Sequence, residues 1–196
     1  MAPNRIMRDR SLRRALIAGA AAALLAVSLV ACGGGSSSTT DKEGDVRVLN
    51  EILARQLAAV EAYDQALPAL RGADLTLARR FRAQEQEHVN ETTKTLRGLD
   101  GESDPPPETI EAPELKTPTE ALEFLYELES ATLDAELNAV SRLTIAWPRP
   151  AIAAMAANQA QRLVLIRRAL GAGPLEWIPE AFETGEVPAP EEMMEP

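Results

Sequence analysis

Apolar residues recur at Leu49, Ile52, Leu53, Leu57, Val60, Tyr63 and Leu67, every three or four positions along the chain. That rhythm places them on one face of a helix. A second stretch repeats it at Leu75, Ala78, Phe81 and Leu96, with Glu85, His88 and Thr92 on the same face, a third at Leu122, Leu125, Leu128, Val140 and Leu143, and a fourth at Ile152, Met155, Leu163, Ile166 and Leu170. No stretch sustains the period-two alternation of a half-buried strand, so the pattern predicts an all-α domain.

Punctuation residues set the expected helix ends. Pro68 with Arg71-Gly72 closes the first helix, Asp74 caps the second, and Gly98 and Gly101 end it. Thr117 and Glu120 have the spacing of a capping box, with Pro118 at the first helical position of the third helix. Trp147-Pro148-Arg149-Pro150 separates the third helix from the fourth, which stops at Gly171. The first and last connections are short and favour antiparallel pairs. Residues 102–118, with three consecutive prolines, form a connection long enough to run the length of the molecule. The pattern therefore predicts a four-helix bundle with one long crossover between the second and third helices.

Polar residues interrupt the apolar faces in register. Glu85-x-x-His88 in the second helix holds the only histidine of the chain, and a helix projects positions i and i+3 from one side. The halves of the domain resemble each other: Gln56 precedes Glu85 by 29 residues, and Glu129 precedes Gln159 by 30. In this repeat Gln159-x-x-Arg162 stands where the first half has Glu85-x-x-His88.

The first 31 residues read as an export signal. Arg5, Arg8, Arg10, Arg13 and Arg14 precede an apolar run from Ala15 to Ala31, short for a membrane span of about 20 residues. Leu29-Val30-Ala31-Cys32 resembles the bacterial lipobox, in which the cysteine is lipidated after cleavage. The resemblance implies a lipid anchor at Cys32, a flexible Gly/Ser tether over 32–44, and a place on the outer face of the cytoplasmic membrane. Cys32 is the only cysteine, so no disulfide can form within the chain. Without residues 1–31 the chain keeps 15 basic and 29 acidic residues, a net charge of −14 with histidine neutral. That balance excludes a nucleic-acid partner and a polybasic grip on anionic lipid. The bundle is expected over 45–185, with a disordered acidic tail over 186–196.

Taken together, Leu49-Asn50, Ala59-Val60-Glu61-Ala62-Tyr63, Ala83-Gln84-Glu85-Gln86-Glu87-His88, Ala169-Leu170-Gly171 and Ile178-Pro179-Glu180-Ala181-Phe182-Glu183-Thr184-Gly185 resemble the ferritin-like superfamily, especially its exported bacterial members. In metal-loaded members two helices each give a Glu and two each give Glu-x-x-His. Carried over, the resemblance implies ligand positions at Gln56, Glu85, His88, Glu129, Gln159 and Arg162, of which Glu85, His88 and Glu129 keep the ligating residue type. Glu61 and Glu136 lie a turn or two away as substitutes. Two carboxylates with one permanent cation do not carry the negative charge that two metal ions would neutralise. The expectation is a non-catalytic lipoprotein domain, structural or partner-binding, in which Arg162 bridges Glu85 and Glu129 and no cofactor is needed. The alternatives are a mononuclear site for iron or another divalent metal on Glu85, His88 and Glu129, a di-iron ferroxidase or oxidase, and weak cation binding by the acidic surface. A register with Gln161 rather than Arg162 facing inward would remove the bridge.

Overall fold

The structure, a computed structural model, describes residues 35–178, with side chains from Asp41 onward. The expected signal peptide (1–31), Cys32, Phe182 and the acidic tail (186–196) lie outside the described residues. The described chain forms α1 (Gly35–Ala66), a 3-10 turn (Leu67–Ala69), α2 (Gly72–Gly98), α3 (Pro118–Arg142) and α4 (Arg149–Ala169), with no strand among these residues. It is an all-α four-helix bundle. α1 packs along α2, α3 along α4, and α1 along α3, while α2 and α4 meet more sparsely.

Two helix ends form as their residues dictate. Pro118 opens α3, and Thr117 and Glu120 cap each other's backbone amides in a reciprocal box, which contributes about 1 kcal/mol. Gly171, at φ +88°, ends α4 in a Schellman turn, with its N–H on Arg168 O and the N–H of Ala172 on Arg167 O, both at 3.1 Å.

Elsewhere the ends differ from expectation. Asp74 lies inside the first turn of α2, and the N-cap is Arg71, which makes no side-chain cap bond. α2 also ends in a Schellman turn, but the left-handed residue is Asp100 (φ +49°), not either glycine. The glycines serve close approach. A Cβ on Gly98 would lie 2.7 Å from the Trp147 ring, and one on Gly101 would lie 2.6 Å from a methyl of Val46. α1 begins at Gly35, so residues expected as a flexible tether are helical. Asp45, fully buried, fixes that end: its carboxylate accepts from the N–H groups of Thr144 and Ile145 at 2.8 Å, tying α1 to the α3–α4 loop.

The crossover runs beside α1 and is held there by two side-chain amides, each of which can donate and accept like a peptide. Asn50 donates to Glu102 O at 3.0 Å and accepts from Asp104 N at 2.8 Å; Gln65 donates to Ile110 O at 3.3 Å and accepts from Ala112 N at 2.9 Å. Arg55 adds an ion pair with Glu108 at 2.8 Å. The segment thus climbs about 22 Å of α1 at 1.5 Å per residue and delivers the chain to the far end, where α3 starts. α1 and α4 therefore run one way, α2 and α3 the other.

Two large apolar clusters fill the bundle, and a smaller third joins Leu133 of α3 to Ala156 and Leu163 of α4. Val48, Leu49, Leu53, Leu96, Leu143 and Ile152 pack near the start of α1, and Ala62, Phe81, Leu122, Leu125 and Ile166 pack toward its end. Leu57, expected on the inward stripe, is instead 40% exposed. No described helix is long and apolar enough to cross a membrane.

Candidate functional site: two polar layers in the bundle core

Between the apolar clusters lie two layers of polar side chains, each drawing on all four helices. The upper layer holds Tyr63 from α1, Glu85 from α2, Glu129 from α3, and Arg162 with Gln159 from α4. The lower layer holds Gln56, Thr92, Glu136 and Met155 from the same helices in the same order. Each pair along a helix (56/63, 85/92, 129/136, 155/162) is seven residues apart. Seven residues are two turns, about 10.5 Å along the axis, and return a side chain to nearly the same face.

Arg162 organises the upper layer. It is fully buried, and its Nη1 donates to Glu85 Oε1, to Glu129 Oε1 at 3.1 Å and Oε2 at 3.4 Å, and to Gln159 Oε1 at 2.9 Å. Its Nε donates to Gln84 Oε1 at 3.2 Å, and its guanidinium lies 5.5 Å from the centre of the Phe81 ring. Gln159 Nε2 donates to Glu85 Oε1 at 2.7 Å, and the Tyr63 hydroxyl donates to Glu129 Oε1, which brings α1 into the same network. His88 stands at the edge, 13% exposed, with Nδ1 3.6 Å from Glu85 Oε1, beyond hydrogen-bond length. Glu85 Oε2, His88 Nδ1 and Arg162 Nη2 have no hydrogen-bond partner in the protein.

The lower layer is uncharged at neutral pH. Thr92 donates to Gln56 Oε1 at 2.8 Å, and Gln56 Nε2 lies 3.3 Å from Glu136 Oε1 and 3.4 Å from the Met155 sulfur. No cation stands beside Glu136. Burial, with added repulsion from Glu85, pushes its carboxyl up to about 8, so it keeps its proton at pH 7. In the upper layer the two carboxyls separate. Burial pushes Glu129 up to about 7, with Arg162 opposing and Glu85 reinforcing the rise. Burial acts in the same sense on Glu85, but His88, Arg162 and Gln159 together outweigh it and hold that carboxyl below its ordinary range. Burial also pushes the Tyr63 hydroxyl well above its usual value, helped by the charge of Glu129, so it remains a donor.

The helical fold is shared with known proteins. The family described as ferritin-like domain matches residues 44–172. This chain belongs to that family. A solved structure described as ferritin like, diiron-carboxylate proteins from Bacillus anthracis str. Ames superposes with a TM-score of 0.55 and 19% identity, covering 66% of this chain and 97% of the other. At that identity the likeness is one of fold. Comparison with curated proteins gives no match.

Within this ferritin-like domain, five of the six expected ligand positions, Glu85, His88, Glu129, Gln159 and Arg162, meet in or beside the upper layer. Arg162 faces inward and Gln161 is exposed, which settles the register of α4. Gln56, the sixth, bonds to the lower layer instead. Glu61 is exposed on α1 and takes no part, whereas Glu136 is fully buried. Tyr63, Thr92 and Met155 had been legible only as members of apolar or mixed stripes; their heptad offset from Gln56, Glu85 and Arg162 was the available signal. Among the described residues no group of three His, Cys, Asp or Glu side chains stands in a metal-holding arrangement.

Proposed function

We propose that this chain is an extracytoplasmic, membrane-anchored ferritin-like lipoprotein that serves a structural or partner-binding role without redox chemistry at its core. The observation that carries the reading is Arg162 Nη1, hydrogen-bonded to both Glu85 and Glu129 at the point where their carboxylates converge. Two metal ions in such a core need the negative charge of about four carboxylates and neutral imidazoles. Here a permanent cation stands between the two buried carboxylates of that layer, and glutamines occupy two further positions. A divalent ion at that point would meet a guanidinium already bonded to its prospective ligands. This donor set does not fit a two-metal centre.

Anchoring rests on the signal-like residues 1–31 and the Leu29-Val30-Ala31-Cys32 sequence. Incorporation of labelled palmitate into the expressed protein, abolished by Cys32→Ser, is the expected result; equal labelling of both forms would sink the anchor. For the core, ferrous iron added anaerobically should remain unbound, and admitting oxygen afterwards should give no oxygen uptake above the protein-free rate. Two tightly held ions per chain with rapid oxygen uptake would overturn the non-redox reading.

A second reading, a mononuclear site on Glu85, His88 and Glu129, is favoured by two buried atoms without a hydrogen-bond partner, Glu85 Oε2 and His88 Nδ1. One ion per chain in the iron titration would select it.

A further inference from the structure

We propose that the Arg162 guanidinium is the built-in cation of this core: it joins helices as a bound metal ion would, and it closes a cation site that Glu85, Glu129 and His88 would otherwise offer. The inference rests on the metal-free reading above and assigns that state to one residue. Arg162 is held from three helices, by Gln84, Glu85 and Phe81 on α2, by Glu129 on α3 and by Gln159 on α4. Through Glu129 it reaches Tyr63 on α1, so one side chain connects the whole bundle cross-section. A guanidinium is planar, permanently charged and weakly hydrated, which suits it to a buried position between carboxylates. Its contacts leave unpartnered a carboxylate oxygen of Glu85, itself 1% exposed, and Nδ1 of His88, together with its own Nη2. Two carboxylates and an imidazole are ligands for a divalent ion once no cation repels it.

The test is Arg162→Gln beside Arg162→Lys in the full bundle, each melted in chelator and again with zinc(II), chosen as a redox-silent ion that accepts His nitrogen and Glu oxygen. In chelator Arg162→Gln should melt about 10 °C below the unaltered protein, because it leaves a buried carboxylate without its cation. Zinc should recover most of that loss, bind at one ion per chain, and leave the unaltered protein's melting temperature where it was. Arg162→Lys should lose less and gain nothing from zinc, since a point charge still blocks the site while losing the fork of donors. If Arg162→Gln fails to fold in chelator but folds with zinc, the proposal also stands. It is overturned if Arg162→Gln melts with the unaltered protein, if it takes up no zinc, or if the lysine variant binds zinc as the glutamine variant does. Two ions in the unaltered protein would instead overturn the metal-free reading itself.

Discussion

The two polar layers are built at equivalent positions one heptad apart, yet they solve the problem of buried polarity differently. The upper layer keeps charge and neutralises it with Arg162; the lower layer has Met155 at the matching place on α4 and keeps its carboxyl protonated. A buried carboxylate is tolerated with a hydrogen-bonded cation beside it and is otherwise cheaper to protonate. Glu85, held below its ordinary range, has His88, Arg162 and Gln159 against it, whereas Glu136, pushed to about 8, has the neutral Gln56 and Met155 beside it.

The largest expected effect comes from making the upper layer like the lower. Arg162→Met should cost about 3–5 kcal/mol in urea unfolding at pH 7, the usual loss when one partner of a buried ion pair is removed. A loss below about 1 kcal/mol would mean that the ionic layer does not depend on its cation.

The pH profile comes next. Glu129 and Glu136 bind their protons more tightly folded, near 7 and 8, than in the unfolded chain, near the ordinary 4.5. Their contribution to stability is fully present below 4.5 and is lost as pH rises through 7 and then 8. Glu85, whose carboxyl is lowered, works in the opposite sense and loses its contribution as pH falls below 4.5. Melting temperature should peak at mildly acidic pH and decline to about pH 8. A profile still rising from pH 5 to 8 would contradict the assigned protonation states.

Tyr63→Phe, which removes the donor to Glu129, should cost about 1.5–3 kcal/mol, the range for a hydrogen bond to a charged group. The smallest effect should be Glu136→Gln near pH 4.5, an amide in place of a carboxyl that is neutral in the fold: within about 1 kcal/mol there by denaturant titration, with the variant the more stable form at pH 7 because an amide takes up no proton on folding. It should also flatten the decline in stability between pH 7 and 8. A large loss at pH 7 would show that the lower layer is ionic too.

Much of this was legible in the sequence because it depends on local chemistry. The α3 start follows from Thr117, Pro118 and Glu120, whose partners lie within one turn. The inward position of Glu85, Glu129, Gln159 and Arg162 follows from helical period and the internal repeat. Gly98 and Gly101 show the limit. They read as helix stops, but their smallness serves the Trp147 ring and Val46, residues distant in the chain or across an interface. Gln56 shows it again: spacing along α1 gives the face it occupies but not the level at which α3 presents Glu136 to it.

The sequence by itself determined the four helices, the Thr117 cap of α3 and the Gly171 end of α4, the long crossover and the set of polar residues turned inward, since each is encoded by period or by neighbours in the chain. Only the tertiary structure decided how those residues divide into two layers, which carboxyl Arg162 neutralises and which must hold a proton. Relative helix height and burial fix those outcomes, because charge in a low-dielectric core depends on what lies within a few ångströms across helices.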